Sequence, residues 1–166
     1  QSDQFYDRES ILKNIKIKIG EIKNSGINPN LISVVHLINS FRNFPPEIKQ
    51  YVANKFIDKP LNSIENRLEG CKQNRKKTPS ESAKFAEELY SATKSDLILL
   101  KNILGQNNVQ YQLNVNKISE EILQCSIDFF NHHQSSSTYD PGERSLKVIN
   151  LAKSLNPTGQ ALNRLN

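Results

Sequence analysis

Residues 108–133 read NVQYQLNVNKISEEILQCSIDFFNHH, and this stretch decides the fold class. Tyr111, Val115, Ile118, Ile122, Cys125 and Phe129 recur every three or four positions. That spacing gathers side chains onto one face of an α-helix. The residues between them are mostly polar, so the stripe can be buried while the rest of the helix meets water. Only Gln110–Val115 shows two-residue alternation, and it continues better as helix.

The same spacing recurs on both sides of this stretch. Upstream lie Leu12, Ile15, Ile19 and Ile22, then Leu31, Val34, Val35, Ile38 and Phe41. Ile48, Val52 and Phe56 follow, then Leu61, Ile64, Leu68 and Cys71, and then Phe85, Leu89 and Ala92 leading into Leu97–Leu104. Downstream stand Leu146, Ile149, Ala152 and Leu155. Proline suits a first helical turn and is costly in an interior. Thr78-Pro79-Ser80-Glu81 and Asp140-Pro141-Gly142-Glu143 each place a cap, a proline and a glutamate at capping-box spacing. Asn28-Pro29 and Asn156-Pro157 are weaker versions; Pro46 and Pro60 open two more segments, and Gly26 and Gly105 stand where helices end.

These marks predict helices near 4–24, 29–43, 46–58, 60–75, 79–104, 108–133, 141–155 and 157–165. The expected fold is all-α, an irregular helical bundle or a short α-solenoid of seven to eight mostly antiparallel helices. At 166 residues the chain fits a single domain over 1–166. A subdivision into a basic half, 1–77, and a second half, 78–166, is the alternative. Gly70–Lys77 is the expected hinge between them, and Gln134–Tyr139 the expected mobile loop. The lack of methionine, even at position 1, points to a processed product or a fragment of a longer chain.

The formal net charge is +5, and all of the excess lies in the first half. Residues 1–77 hold 14 Lys and Arg against 8 Asp and Glu, and residues 78–166 hold 8 against 9. Lysine dominates this excess, which also suits an AT-rich coding sequence. No apolar run approaches the roughly 20 residues of a membrane span, so no membrane partner is expected. Cys71 and Cys125 each fall on an apolar stripe, as small buried hydrophobes do. Free thiols suggest a reducing, cytoplasmic setting.

Ser145, Ile149, Ala152 and Pro157 follow a small, bulky, small, proline order across residues 145–157. This order resembles the second helix of a tetratricopeptide repeat and its terminal proline. The segment with Ile127 and Phe130 would supply the first helix of the pair, and Gln160–Leu165 the start of the next, so that the resemblance extends over 118–165. Helix 108–133 is longer than a repeat helix, and Gln134–Tyr139 replaces a tight turn. The resemblance implies peptide or protein binding on a helical face.

Few residues suggest chemistry. Glu121, Cys125, Asp128 and His132 are possible metal ligands aligned on one helix. A straight helix cannot wrap four ligands around one ion, and Cys125 belongs to the apolar stripe, so no cofactor is expected. His132 and His133 suit the helix C-terminus, and His36 the edge of a core. Ser10-x-x-Lys13 has the spacing of a nucleophile–lysine pair, but it sits in an ordinary amphipathic start. The glycines are isolated, so no phosphate loop is formed.

The basic run Lys72, Arg75, Lys76 and Lys77, with Lys13, Lys16, Lys23, Lys55 and Lys59, offers a positive face for phosphates. The reading that follows is a non-enzymatic helical protein–protein interaction module. Its expected partner-binding residues are Lys72, Arg75, Lys76, Lys77, Tyr111 and Tyr139. The alternatives are a nucleic-acid-associated protein using the lysine face and a metal-binding helical-bundle enzyme.

Overall fold

The computed structural model describes residues 46–135 and 139–166, together with Ser10, Lys13 and Ile17. Those three positions are helical and exposed. The rest of the helices expected near 4–24 and 29–43, with Lys16, Lys23 and His36, lies outside the described residues, as do 136–138 of the expected mobile loop. The chain divides into two compact units, Gln1–Ile57 and Asp58–Asn166, so the division falls before the step in charge at 77.

Among the described residues there are five α-helices, one 3-10 turn and no strand. The all-α expectation holds, but the number of helices needs correction. The segments expected at 46–58 and 60–75 are one helix, α1 (Pro46–Lys77), with Pro60 inside it. An interior proline loses one backbone hydrogen bond and costs about 3 kcal/mol in an isolated helix. Here the ring is buried, in register with Ile64, Cys71 and Arg75, so packing offsets the local penalty. Gly70–Lys77, the expected hinge, forms the last two turns of this helix.

In the first unit, α1 buries Ala53 and Phe56, and Lys55 Nζ stands 5.4 Å from the centroid of the Tyr51 ring. In the second unit α1 is followed by a 3-10 turn, Pro79–Glu81, and by α2 (Ser82–Leu104). The capping box expected at Thr78 is not made in full. Pro79 tightens the entry into the 3-10 turn, the Thr78 side chain makes no cap bond, and α2 begins at Ser82. Ser82, Ala83, Ala86, Leu89, Thr93, Leu97 and Leu100 form its buried face. The hydroxyl of Thr93 donates back to the Leu89 carbonyl at 2.8 Å, which satisfies its only polar side-chain atom. α2 ends at Gly105, whose φ of +90° suits glycine, with its N–H on the Lys101 carbonyl.

α3 (Val109–His133) is the central helix of the second unit. Asn108 caps it by accepting from the N–H groups of Gln110 and Tyr111 at 2.8 and 3.3 Å. Its expected stripe is its buried stripe: Val115, Ile118, Ile122 and Cys125 have no exposure, and Tyr111 and Phe129 have 8% and 5%. Burying each large aliphatic side chain contributes about 1.5–3 kcal/mol. α4 (Gly142–Ser154) starts where Asp140 Oδ1 accepts the Gly142 N–H at 2.8 Å. α5 (Gly159–Leu165) closes the unit with Ala161 and Leu165 buried.

The side-chain contacts set the directions of the helices. Glu65, Cys71 and Arg75 of α1 meet Lys117, Cys125 and Asp128 of α3, so these two helices run parallel. Ser63 meets Asp96, and Cys71 meets the Phe85 carbonyl, so α2 runs antiparallel to α1. Ser119 and Ser126 of α3 donate to the carbonyls of Ala152 and Ser145, so α4 runs antiparallel to α3. α2 also packs beside α4, through Glu87–Arg144 and Tyr90–Ser154, and α5 packs on both α3 and α4.

Leu146 is a second correction, although Ala152 of the same expected stripe is buried. The buried residues of α4 are Ser145, Val148 and Ala152, while Leu146, expected inward, is 59% exposed. Ile149 is half-buried and Pro157 buried. Small side chains face α3 because the backbones approach closely enough for the serine hydroxyls to reach across to main-chain carbonyls. A leucine would hold the two helices apart.

Candidate functional site

The chemistry-bearing residues of the second unit collect between α1 and α3. Arg75 points inward from the last turn of α1 and is 8% exposed. Its Nε donates to Glu121 Oε1 at 2.7 Å and its Nη1 to Asp128 Oδ2 at 2.6 Å. Glu121 and Asp128 lie seven residues apart, two turns along the same face of α3, so one guanidinium spans both. Burial alone would lower the pKa of Arg75. The hydrogen bonds and charges of Glu121 and Asp128 outweigh it and raise the value, so Arg75 stays charged. Gln124 adds a 2.9 Å bond to the second oxygen of Asp128.

One turn below, the Sγ atoms of Cys71 and Cys125 lie 3.6 Å apart as free thiols. Cys71 also reaches the Phe85 carbonyl at 3.7 Å. Contact with Cys71, burial and the nearby Glu121 carboxylate all push the Cys125 thiol well above its ordinary range. Cys71, Glu121 and Cys125 are close enough together to offer three ligand atoms to one metal ion. Of the expected ligands, the structure thus groups Glu121 and Cys125 and adds Cys71. Asp128 is turned to Arg75, and His132 is exposed outside the group.

The donor set fits a metal poorly. The carboxylate it needs is held by a buried guanidinium, whose positive charge opposes a second cation. Contact with Cys71 and burial raise the pKa of the Cys125 thiol, and a metal would have to displace its proton. The arrangement ties α1 to α3 through a charged clasp above a thiol contact.

A second feature lies where α3 ends. The rings of Phe129, His133 and Tyr139 pack with centroids 4.6, 5.6 and 6.3 Å apart. His133 Nε2 is 3.2 Å from the Ser80 carbonyl, which ties the end of α3 to the 3-10 turn. These residues, with Lys84 and Arg144, line a shallow, open cleft of about 500 Å³. Arg144 shares a half-exposed ion pair with Glu87 at 3.1 Å, a contact worth at most about 1 kcal/mol and easily exchanged.

The expected partner-binding residues separate into two groups. Lys72, Lys76 and Lys77 are exposed along the end of α1, and Tyr139 is 43% exposed at the cleft. Arg75 is engaged inside the clasp. Tyr111 belongs to the core, where burial raises the pKa of its phenol. Sequence reasoning misses a row of exposed large apolar residues: Val109, Leu113, Ile127 and Phe130 on α3, Leu146 on α4 and Leu162 on α5. The signal is present, because the α3 members of this row stand off the stripe that carries Ile118 and Ile122. No described helix is long and apolar enough to cross a membrane. No protein-family model, curated protein or solved structure matches the chain.

Proposed function

We propose that the chain is a non-enzymatic helical module that binds another protein through the outward faces of α3 and α4. The observation that carries this reading is the row of exposed apolar side chains on those helices, from Val109 at 82% exposed to Ile127 at 37%. Large apolar residues gathered on one side of a polar molecule mark interaction surfaces more often than scattered ones do. The groups best suited to catalysis support the same reading, since Cys71, Cys125, Glu121 and Asp128 are engaged with one another or with Arg75.

The packing pattern supports a short two-layer stack of helices, the finer form of the fold. α2 touches α3 and α4, and α3 touches α4 and α5; α1 likewise meets α2 and α3. A helix that meets the next one and the one after it is the rule in tetratricopeptide-like stacks, whose business is protein recognition. The exposed Lys76 and Lys77 complement the C-terminal dipole of α1, and with exposed Lys72 they would favour acidic partners.

The test is affinity capture from a native extract, with and without nuclease, using the unaltered chain and its Phe130→Lys variant. A stoichiometric protein partner that survives nuclease and is lost with the variant is the expected result. Partners that vanish with nuclease, and with reversal of charge at Lys72, Lys76 and Lys77, would replace this reading with a nucleic-acid one.

A further inference from the structure

Cys71 and Cys125 are the only thiols of the chain, and the fold brings them together from two helices. They lie 54 residues apart, on α1 and α3, with Sγ atoms 3.6 Å from each other. Two sulfurs at that distance touch, and no atom fits between them. A disulfide needs about 2.05 Å, so the pair is roughly 1.5 Å short of a bond.

The hydrogen bonds give the pair a direction. Cys71 donates to the Phe85 carbonyl at 3.7 Å, which leaves its sulfur to accept the Cys125 proton. Of the two, only Cys71 reaches solvent, at 7% exposure against none for Cys125. The Glu121 carboxylate, the third group a metal could use, is held by Arg75. What remains available to each sulfur is the other.

We propose that Cys71 and Cys125 form a reversible disulfide that staples α1 to α3, made by a small uncharged peroxide such as hydrogen peroxide and undone by thiols. A small oxidant is required because Cys71 is nearly enclosed. The Cys71 sulfur attacks one peroxide oxygen. The O–O bond breaks, a sulfenic acid forms on Cys71, and one water leaves with the thiol proton. The Cys125 sulfur then attacks the Cys71 sulfur. The S–S bond forms, the S–O bond breaks, and the hydroxyl departs with the Cys125 proton as a second water. The two sulfurs together give up two electrons, and the peroxide takes them. The first step is slow, since access is narrow, and the second is fast, since its partners already touch. The bond lies one turn below the Arg75 clasp, so it holds covalently what the clasp holds by charge. Closing so long a loop also restricts the unfolded chain.

The test uses the full chain, reduced, freed of reductant and exposed under native conditions to millimolar hydrogen peroxide. After catalase and denaturation in N-ethylmaleimide, intact mass spectrometry should show a chain about 2 Da lighter that carries no maleimide. Peptide mapping should link Cys71 to Cys125, and dithiothreitol should restore two maleimide sites. The stapled chain should melt roughly 10 °C higher than the reduced one. Cys125→Ala should instead accumulate a dimedone-reactive sulfenic acid at Cys71, which the unaltered chain should not. Two maleimides on every chain after peroxide, or sulfinic acid in place of the link, would overturn the proposal. So would a link found only between two chains, or a linked chain that melts below the reduced one.

Discussion

The two flanks of α3 hold their neighbours by opposite means. Toward α1 the contact is long-armed and charged: Arg75 reaches across to Glu121 and Asp128, with two thiols packed beneath. Toward α4 it is short and nearly neutral, since Ser119 and Ser126 touch the main-chain carbonyls of Ala152 and Ser145. The first depends on completing a charge set that cannot be left half-made. The second depends on the absence of bulk. A single helix thereby gains two neighbours whose positions are fixed by unrelated requirements.

The largest expected effect breaks the charged flank. Arg75→Ala leaves two carboxylates facing each other and should cost about 3–5 kcal/mol, measured by urea denaturation. Adding Glu121→Gln and Asp128→Asn to that variant should recover much of the loss. If Arg75→Ala alone cost under about 1 kcal/mol, the clasp would be no more than a surface ion pair. On the other flank, Ala152→Leu should cost about 1–3 kcal/mol by forcing α4 away from α3, whereas Ala152→Ser should be far milder.

The flanks should also differ in their response to pH. Buried Cys125 keeps its proton in the fold, while the unfolded chain releases it above about pH 8.5. Its folded-state pKa is raised, so its contribution is complete below that pH and is lost as pH rises. Stability should fall by up to about 1.4 kcal/mol per pH unit over the alkaline range, and Cys125→Ala should flatten this slope. Tyr111, also raised, adds to the loss above about pH 10. Ala152→Leu should leave the slope unchanged, because the α4 flank carries no group of this kind. The smallest effect is expected at the open edge, where Leu146→Lys should change stability by no more than about 0.5 kcal/mol.

Much of the fold is legible in the sequence because its signals are local. The stripe from Tyr111 to Phe129 gives α3 to within a residue, and Asp140 and Gly105 mark true helix limits. Pro60 misleads because the rule that prolines open helices is local, and a buried ring in register with Ile64 overrides it. Leu146 misleads for another reason. The stripe Leu146, Ile149, Ala152 and Leu155 holds at Ala152, but close helix contact selects Ser145 over Leu146. Tyr111 suggests a contact residue by its type, although its own stripe places it in the core. Arg75 looks like one member of a solvated basic run, and its partners lie 46 and 53 residues away, beyond any local pattern. Cys71 and Cys125 are each legible as buried, but only the parallel course of α1 and α3 makes them neighbours.

The most direct test of the central claim is hydrogen exchange, followed by mass spectrometry, on the chain with and without its captured protein partner. Added protection over residues 123–130 of α3 and 142–149 of α4 is the predicted result. Protection confined to residues 72–77 at the end of α1, with the α3–α4 edge unchanged, would contradict it.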